Sequence, residues 1–236
     1  MTRLLLPTAL ATAIVTGVQP PPDAPFGRGS GWQGAPQASA PAQTPTAAEI
    51  AQRLQARQQT IKSFTARYTQ EYTAPFLPQK KIASGTIKVL KPFRMWMAED
   101  KPDVKLFVAD GKYVWDYDVA NKYAIRTVIP RDATDSTATM FLAGTVDLTR
   151  DFTSSLAPGA PAGEWHLVLT PKSANSEFAT LTMMVARDTL KLTGLIKVDQ
   201  DRQKYIYRFT NLQENAPLQM SQFELKLPGD VHIEIR

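Results

Sequence analysis

In its C-terminal third this chain alternates apolar and polar residues, strand length after strand length. Leu181, Met183 and Val185 fall at every second position, as do Tyr205, Tyr207 and Phe209, and again Phe223, Leu225 and Leu227. Between them stand Thr182, Arg208, Glu224 and Lys226. A pleated strand sends successive side chains to opposite faces, so each run predicts a strand with one apolar side. A sheet built from such strands must bury that side against helices, a second sheet or a ligand. The sequence therefore predicts a mainly β fold, and its function turns on what the apolar face touches.

The rest of the chain splits into three parts. Residues 1–18 hold one basic residue, Arg3, followed by an apolar run from Leu4 to Val18 that Pro7 interrupts. This has the build of a secretory signal peptide, too short to span a bilayer. Residues 19–45 change character: Pro20, Pro21, Pro22, Gly27, Gly29, Gly31, Gly34, Pro36, Pro41 and Pro45 punctuate a stretch with few groups for a core. That composition predicts a disordered linker. Residues 46–236 are left as one domain.

Within that domain, Thr46-Ala47-Ala48-Glu49 is a capping box, and Ile50, Leu54 and Ile61 follow at helical spacing. An amphipathic helix is predicted from about 47 to 62. Period two begins at Phe64 and returns at Ile82–Leu90, which Pro92 ends. Further strands are expected at Phe93–Ala98, Val104–Ala109, Tyr113–Tyr117 and Tyr123–Ile129, with Asp110-Gly111 marking a hairpin. Residues 132–143 read as a short amphipathic helix carrying Met140 and Phe141, with a second helical turn around Leu148–Leu156. Five strands then run from Trp165 to Leu227, with one more at Val231–Ile235. Roughly eleven sequential strands argue an antiparallel meander, and a sheet that wide must twist and curl into a closed or incomplete barrel.

Several function classes are excluded. The net charge is +5, but the basic residues are scattered and form no stripe, so nucleic acid is not a partner. Cysteine is absent, which removes disulfides and any lipid anchor on the chain's own thiol. The two histidines, His166 and His232, lie far apart, so no metal site is expected. No nucleophile elbow, phosphate loop or zinc-protease motif is present, and Asp116 with Asp118 and Asp199 with Asp201 read as turn carboxylates. The chain is not read as an enzyme, and no cofactor is expected. Soft and aromatic groups stand out instead: Met95, Trp96, Met97, Trp115, Met140, Phe141, Met183 and Met184. Such side chains fill cores, and they also line surfaces that fit variable apolar ligands.

Four blocks then carry a resemblance. They are Leu54–Gln70 with its Ser63-Phe64-Thr65-Ala66-Arg67-Tyr68-Thr69-Gln70 run; Ser84-Gly85-Thr86-Ile87 to Lys91-Pro92; Val108-Ala109-Asp110-Gly111-Lys112-Tyr113-Val114-Trp115-Asp116-Tyr117-Asp118; and Leu167–Lys172 with Phe223–Val231 closing the domain. In this order they resemble the periplasmic outer-membrane lipoprotein carriers, the LolA-type chaperones. The resemblance implies an unclosed antiparallel β-barrel with a helical lid over a hydrophobic cavity. It implies a monomeric periplasmic chaperone that takes the acyl chains of lipidated proteins from an inner-membrane releasing transporter and hands them to an outer-membrane receptor. A lipid- or stress-sensing envelope module on the same fold is the alternative. The cavity lining then expected is Met95, Met97, Trp115, Met140, Phe141 and Leu181, with Met183, Val185, Tyr205, Tyr207, Phe223 and Leu225. The family holds its lid with an Arg before the strand-breaking Pro; Lys91 occupies that position here, and Arg94 follows closely. These two are the candidates for the lid-holding charge.

Overall fold

A computed structural model describes residues 44–77, 79–129, 142–143, 146–174, 176 and 178–236. The expected signal peptide, nearly all of the expected linker, and Met140 and Phe141 of the expected second helix lie outside the described residues. Thr44–Arg236 forms one compact unit.

Helix α1 (Ala47–Thr60) starts at the capping box: the Thr46 hydroxyl accepts from the Glu49 amide at 3.3 Å, and the Thr46 amide donates to the Glu49 carboxylate at 2.7 Å. It buries Ile50, Ala51 and Leu54 along one stripe, as the spacing predicted. It stops at Ile61, whose backbone is extended.

Six strands follow: β1 (Ser63–Thr73), β2 (Lys81–Leu90), β3 (Arg94–Lys101), β4 (Lys105–Asp110), β5 (Tyr113–Asp118) and β6 (Tyr123–Val128). A second run holds β7 (Phe152–Leu156), β8 (Glu164–Pro171), β9 (Phe178–Ala186), β10 (Leu192–Asp199) and β11 (Lys204–Glu214); a 3-10 turn (Met220–Phe223) and β12 (His232–Ile235) close the chain. All twelve strands join one sheet in the order β12-β6-β5-β4-β3-β2-β1-β11-β10-β9-β8-β7. The two meanders are thus spliced by the long antiparallel β1–β11 pair, which runs from Phe64–Glu214 to Thr73–Lys204. β7 and β12 are the two unjoined edges, so the sheet is an unclosed barrel. The hairpin at Asp110-Gly111 is present: Gly111 has φ +99°, a left-handed value that glycine adopts without strain, and the Asp110 carboxylate accepts from the Lys112 and Tyr113 amides.

Three expectations are corrected. Only the start of Leu148–Leu156 turns: the Asp151 amide donates to the Asp147 carbonyl at 3.0 Å, closing one helical turn in which the Asp147 carboxylate accepts from the Thr149 and Arg150 amides, and Phe152–Leu156 is instead a strand paired with β8. Phe223–Leu227 is not a strand. Phe223 ends the 3-10 turn, and Leu225 and Leu227 follow outside any ladder, although burial still alternates along the segment. Four strands, not five, therefore fill Trp165–Leu227. Finally, β12 runs parallel to β6 rather than continuing a meander.

The core lies between α1 and one face of the sheet. Register places Phe64, Ile87, Val89, Met95, Met97 and Ala109 on that face from the first run, and Leu167, Leu181, Met183, Val185 and Leu195 from the second. α1 lies against β7 and β8 on it.

Candidate functional site

The inner face changes chemistry along its length. The half that includes the start of β1 and the end of β2 is apolar and covered. Met95 is fully buried there and Met97 nearly so, while Leu181, Met183 and Val185 are fully buried on the same inner face in β9. Toward the far end of β1 the same face turns aromatic and polar. Following β1 inward positions gives Phe64, Ala66, Tyr68, Gln70; following β3 gives Met95, Met97, Glu99. In this half the face is open: a cavity of about 440 Å³ is lined by Tyr68, Gln70, Met97, Glu99, Lys105, Leu106, Phe107, Asp116, Lys197, Tyr205 and Tyr207.

Three tyrosines form one wall. The rings of Tyr68 and Tyr207 stand 6.2 Å apart, and the Tyr205 ring lies 4.8 Å from that of Tyr72, tilted by 35°. Burial raises the hydroxyl pKa of Tyr68 and Tyr207 well above the ordinary value, and burial with the nearby Asp199 charge pushes Tyr205 up to about 12. Gly85 makes room for this wall, since a Cβ there would meet the Ala98 carbonyl oxygen at 1.9 Å and the Tyr68 hydroxyl at 2.9 Å. Lys197 lies over the Tyr205 ring at 4.3 Å and pairs with Asp199 at 2.8 Å.

Polar bonds fasten α1 over the covered half. The Lys91 ammonium donates to the Gln58 carbonyl at 3.0 Å and to its side-chain amide oxygen at 3.2 Å, at the C-terminal end of α1 where a cation is favoured. Burial lowers the Lys91 pKa from its ordinary value. Arg57 of the same last turn reaches both carboxylate oxygens of Glu214 on β11, at 2.8 and 2.6 Å. The Gln55 side chain accepts from the Leu148 amide at 2.9 Å. The Phe93 amide, next to Pro92, donates to the Ala143 carbonyl at 2.7 Å. A second recess of about 380 Å³ opens beside this fastening, walled by Gln55, Gln58, Lys91, Pro92 and Val146.

The expected site residues divide. Met95, Met97, Leu181, Met183 and Val185 share the inner face, and Tyr205 and Tyr207 line the open cavity. Trp115 does not join them. It pairs with Val108, which pairs with Trp96, so all three lie on the outer face, where Arg126 covers the Trp115 ring at 5.5 Å. Phe223 is buried but outside the core cluster; its 3-10 turn packs on β3 and β4, and Leu225 follows it away from the cavity walls. Arg94 also belongs to the outer face. Its guanidinium lies over Gly111, 3.2 Å from where a Cβ would stand, whereas Lys91 reaches the helix. The sequence reading missed Glu99, Lys105, Gln70 and Lys197. The parity of Met95, Met97 and Glu99 is the signal that places a carboxylate on an apolar face.

Residues 59–226 match the family described as outer membrane lipoprotein carrier protein LolA. The chain belongs to this family. An outer-membrane lipoprotein carrier protein of Coxiella burnetii is 27% identical over 143 residues, which cover 60% of this chain and 66% of that relative. Its counterpart in Cronobacter sakazakii is 30% identical over 135 residues, covering 57% and 62%. The matched stretch thus spans just under two thirds of these relatives. Among solved structures, a LolA superfamily protein of Nitrosomonas europaea aligns over 77% of this chain and 99% of its own, with 12% identity and a TM-score of 0.44. Among the described residues no helix is long and apolar enough to cross a membrane, and no group of side chains is arranged to hold a metal ion.

Proposed function

We propose that this chain is an exported LolA-type carrier that shields the acyl chains of lipidated proteins between α1 and the inner face of its sheet. The observation that carries the reading is the fastening of one helix over a continuous apolar face. Ile50 and Leu54 seal that face, yet a few polar bonds at Lys91, Arg57 and Gln55 hold the helix in place. A cover of this kind lifts as a unit and exposes a surface an acyl chain can replace. Binding of this sort requires no catalytic group. Residues 1–18 would direct export to the periplasm and residues 19–45 would act as a spacer. An inner-membrane releasing transporter and an outer-membrane receptor are the partners such a carrier serves.

Each CH₂ withdrawn from water contributes about 0.8 kcal/mol, so affinity for acyl chains rises steeply with length until the space under α1 is filled. Displacement of a fluorescent fatty-acid probe by acyl glycerols of increasing length measures this. Incubation with vesicles bearing a purified lipidated protein should also release that protein as a soluble one-to-one complex. Affinity independent of chain length refutes the reading; acyl binding without release of the lipidated protein points to a lipid sensor instead.

A further inference from the structure

The open end of the cavity holds polar groups with nothing to bind. Tyr68 is 3% and Tyr207 8% exposed, and among the described residues neither hydroxyl makes a hydrogen bond. Half-buried Glu99 and exposed Asp116 share the same walls; neither makes a hydrogen bond or a close ion pair among the described residues, although Lys105 stands opposite Glu99 in the β3–β4 pair. These oxygens open into the cavity, where the donors of a ligand can reach them. The two lysines of the cavity do not fill the need. Lys197 is paired with Asp199, and Lys105 stands 3.9 Å from Asp118, so each is drawn to a carboxylate beyond the lining. Lys105 is the largest charge acting on both Glu99 and Asp116; Asp103 opposes it at Glu99 and Asp118 at Asp116. With Asp118 and Asp199 beside the lining, the four carboxylates of Glu99, Asp116, Asp118 and Asp199 outnumber the ammoniums of Lys105 and Lys197, so the cavity is electronegative, floored by Met97 and Phe107 and walled by phenol rings.

We infer that this cavity binds the ammonium head of an amine-bearing amphiphile, its positive charge between Glu99, Asp116 and the tyrosine rings, and its alkyl chain on the inner face. A primary ammonium supplies three donors for the orphaned carboxylate and phenol oxygens, and its charge is attracted to ring faces. Anionic and neutral heads lack these donors. The inference rests on the acyl-carrier reading for the chain and adds the chemistry of the head. Both carboxyls are held above the ordinary range, chiefly by burial, as expected of anions awaiting a counter-charge.

The test compares decylamine, decanol and decanoate as competitors of a fluorescent acyl probe on the intact protein. Decylamine is expected to bind roughly tenfold tighter than decanol at pH 7.5, the scale of a charge-assisted hydrogen bond, with decanoate weakest. In a Glu99→Gln, Asp116→Asn variant the ratio of amine to alcohol affinity should fall to near one. The ratio in the unaltered protein should fall likewise as pH drops to about 4, where carboxyls gain protons while the amine stays charged. Decanol binding with no preference for decylamine overturns the inference and leaves the carrier reading standing. A preference that survives both the double variant and acid also overturns it. Failure of all three to displace the probe removes both readings.

Discussion

Lys91→Met isolates the helix fastening, because methionine keeps the aliphatic stem and removes the ammonium. Two bonds are lost, at 3.0 and 3.2 Å, both from a charged donor to Gln58. A hydrogen bond with a charged partner is worth about 1.5–3 kcal/mol. Two effects reduce the net loss. The Gln58 carbonyl keeps its bond from the Ile61 amide at 3.3 Å, so it is not orphaned. The burial that lowers the Lys91 pKa is also a desolvation cost that methionine does not carry. The expected loss is about 1–2 kcal/mol, a factor of roughly 5 to 30 in the opening equilibrium of α1. The Arg57–Glu214 pair and the Leu148–Gln55 bond still restrain the helix. Native-state hydrogen exchange reads this directly. Amides of Leu54 and Arg57 should exchange 5- to 30-fold faster in the variant, by the same arithmetic, while those of Met183 and Leu195 in the sheet stay protected. Uptake of an acyl probe should quicken in step, and Lys91→Arg should restore slow exchange. Equal acceleration of helix and sheet would show that Lys91 supports the whole fold and not the cover. Unchanged exchange of α1 would mean that the bonds to Gln58 hold nothing.

Gly85→Ala should lower Tm by several degrees and disturb the fluorescence of the tyrosine wall, since the new Cβ meets the backbone of β3 at 1.9 Å and cannot be relieved by a rotamer. A double-mutant cycle of Arg57→Met with Glu214→Gln should give a coupling of about 1–2 kcal/mol, above that of most surface pairs, because both side chains are largely buried and Arg57 reaches both carboxylate oxygens; urea unfolding measures it, and additivity refutes it. Glu99→Gln should stabilise the protein at neutral pH and not in acid. Burial raises the Glu99 pKa, so its ionisation opposes folding above the folded-state value, and that cost vanishes below the unfolded value of about 4.3. Thermal melts from pH 4 to 8 test the sign: a variant gain that grows toward acid refutes the assignment.

Much of this was legible in the chain itself. Thr46 and Glu49 declare the start of α1, because capping is settled within four residues. Asp110-Gly111 declares its hairpin for the same local reason. Alternation also sorts residues correctly into shared faces: Leu181 with Met183 and Val185, Met95 with Met97. It fails where the alternating segment finds no neighbouring edge. Phe223, Leu225 and Leu227 carry a strand's pattern, but their segment packs beside the sheet and not into it.

What parity cannot say is which of two faces is the inside. Trp115 and Val114 are equally apolar neighbours on one strand; only pairing with Val108 and Ala109, themselves paired with Trp96 and Met95, sends the tryptophan outward and the valine inward. The direction of curl, the splice of β1 to β11 across more than half the domain, and the descent of α1 onto one face are collective outcomes. The same holds for the two cations near Pro92, three positions apart in sequence. Lys91 meets the end of the helix and Arg94 turns to the other face, because one precedes the chain reversal and the other begins a pleated strand. Sequence thus settles what residues share, through backbone geometry that repeats every second position. Tertiary structure settles what they face, since that depends on partners far along the chain.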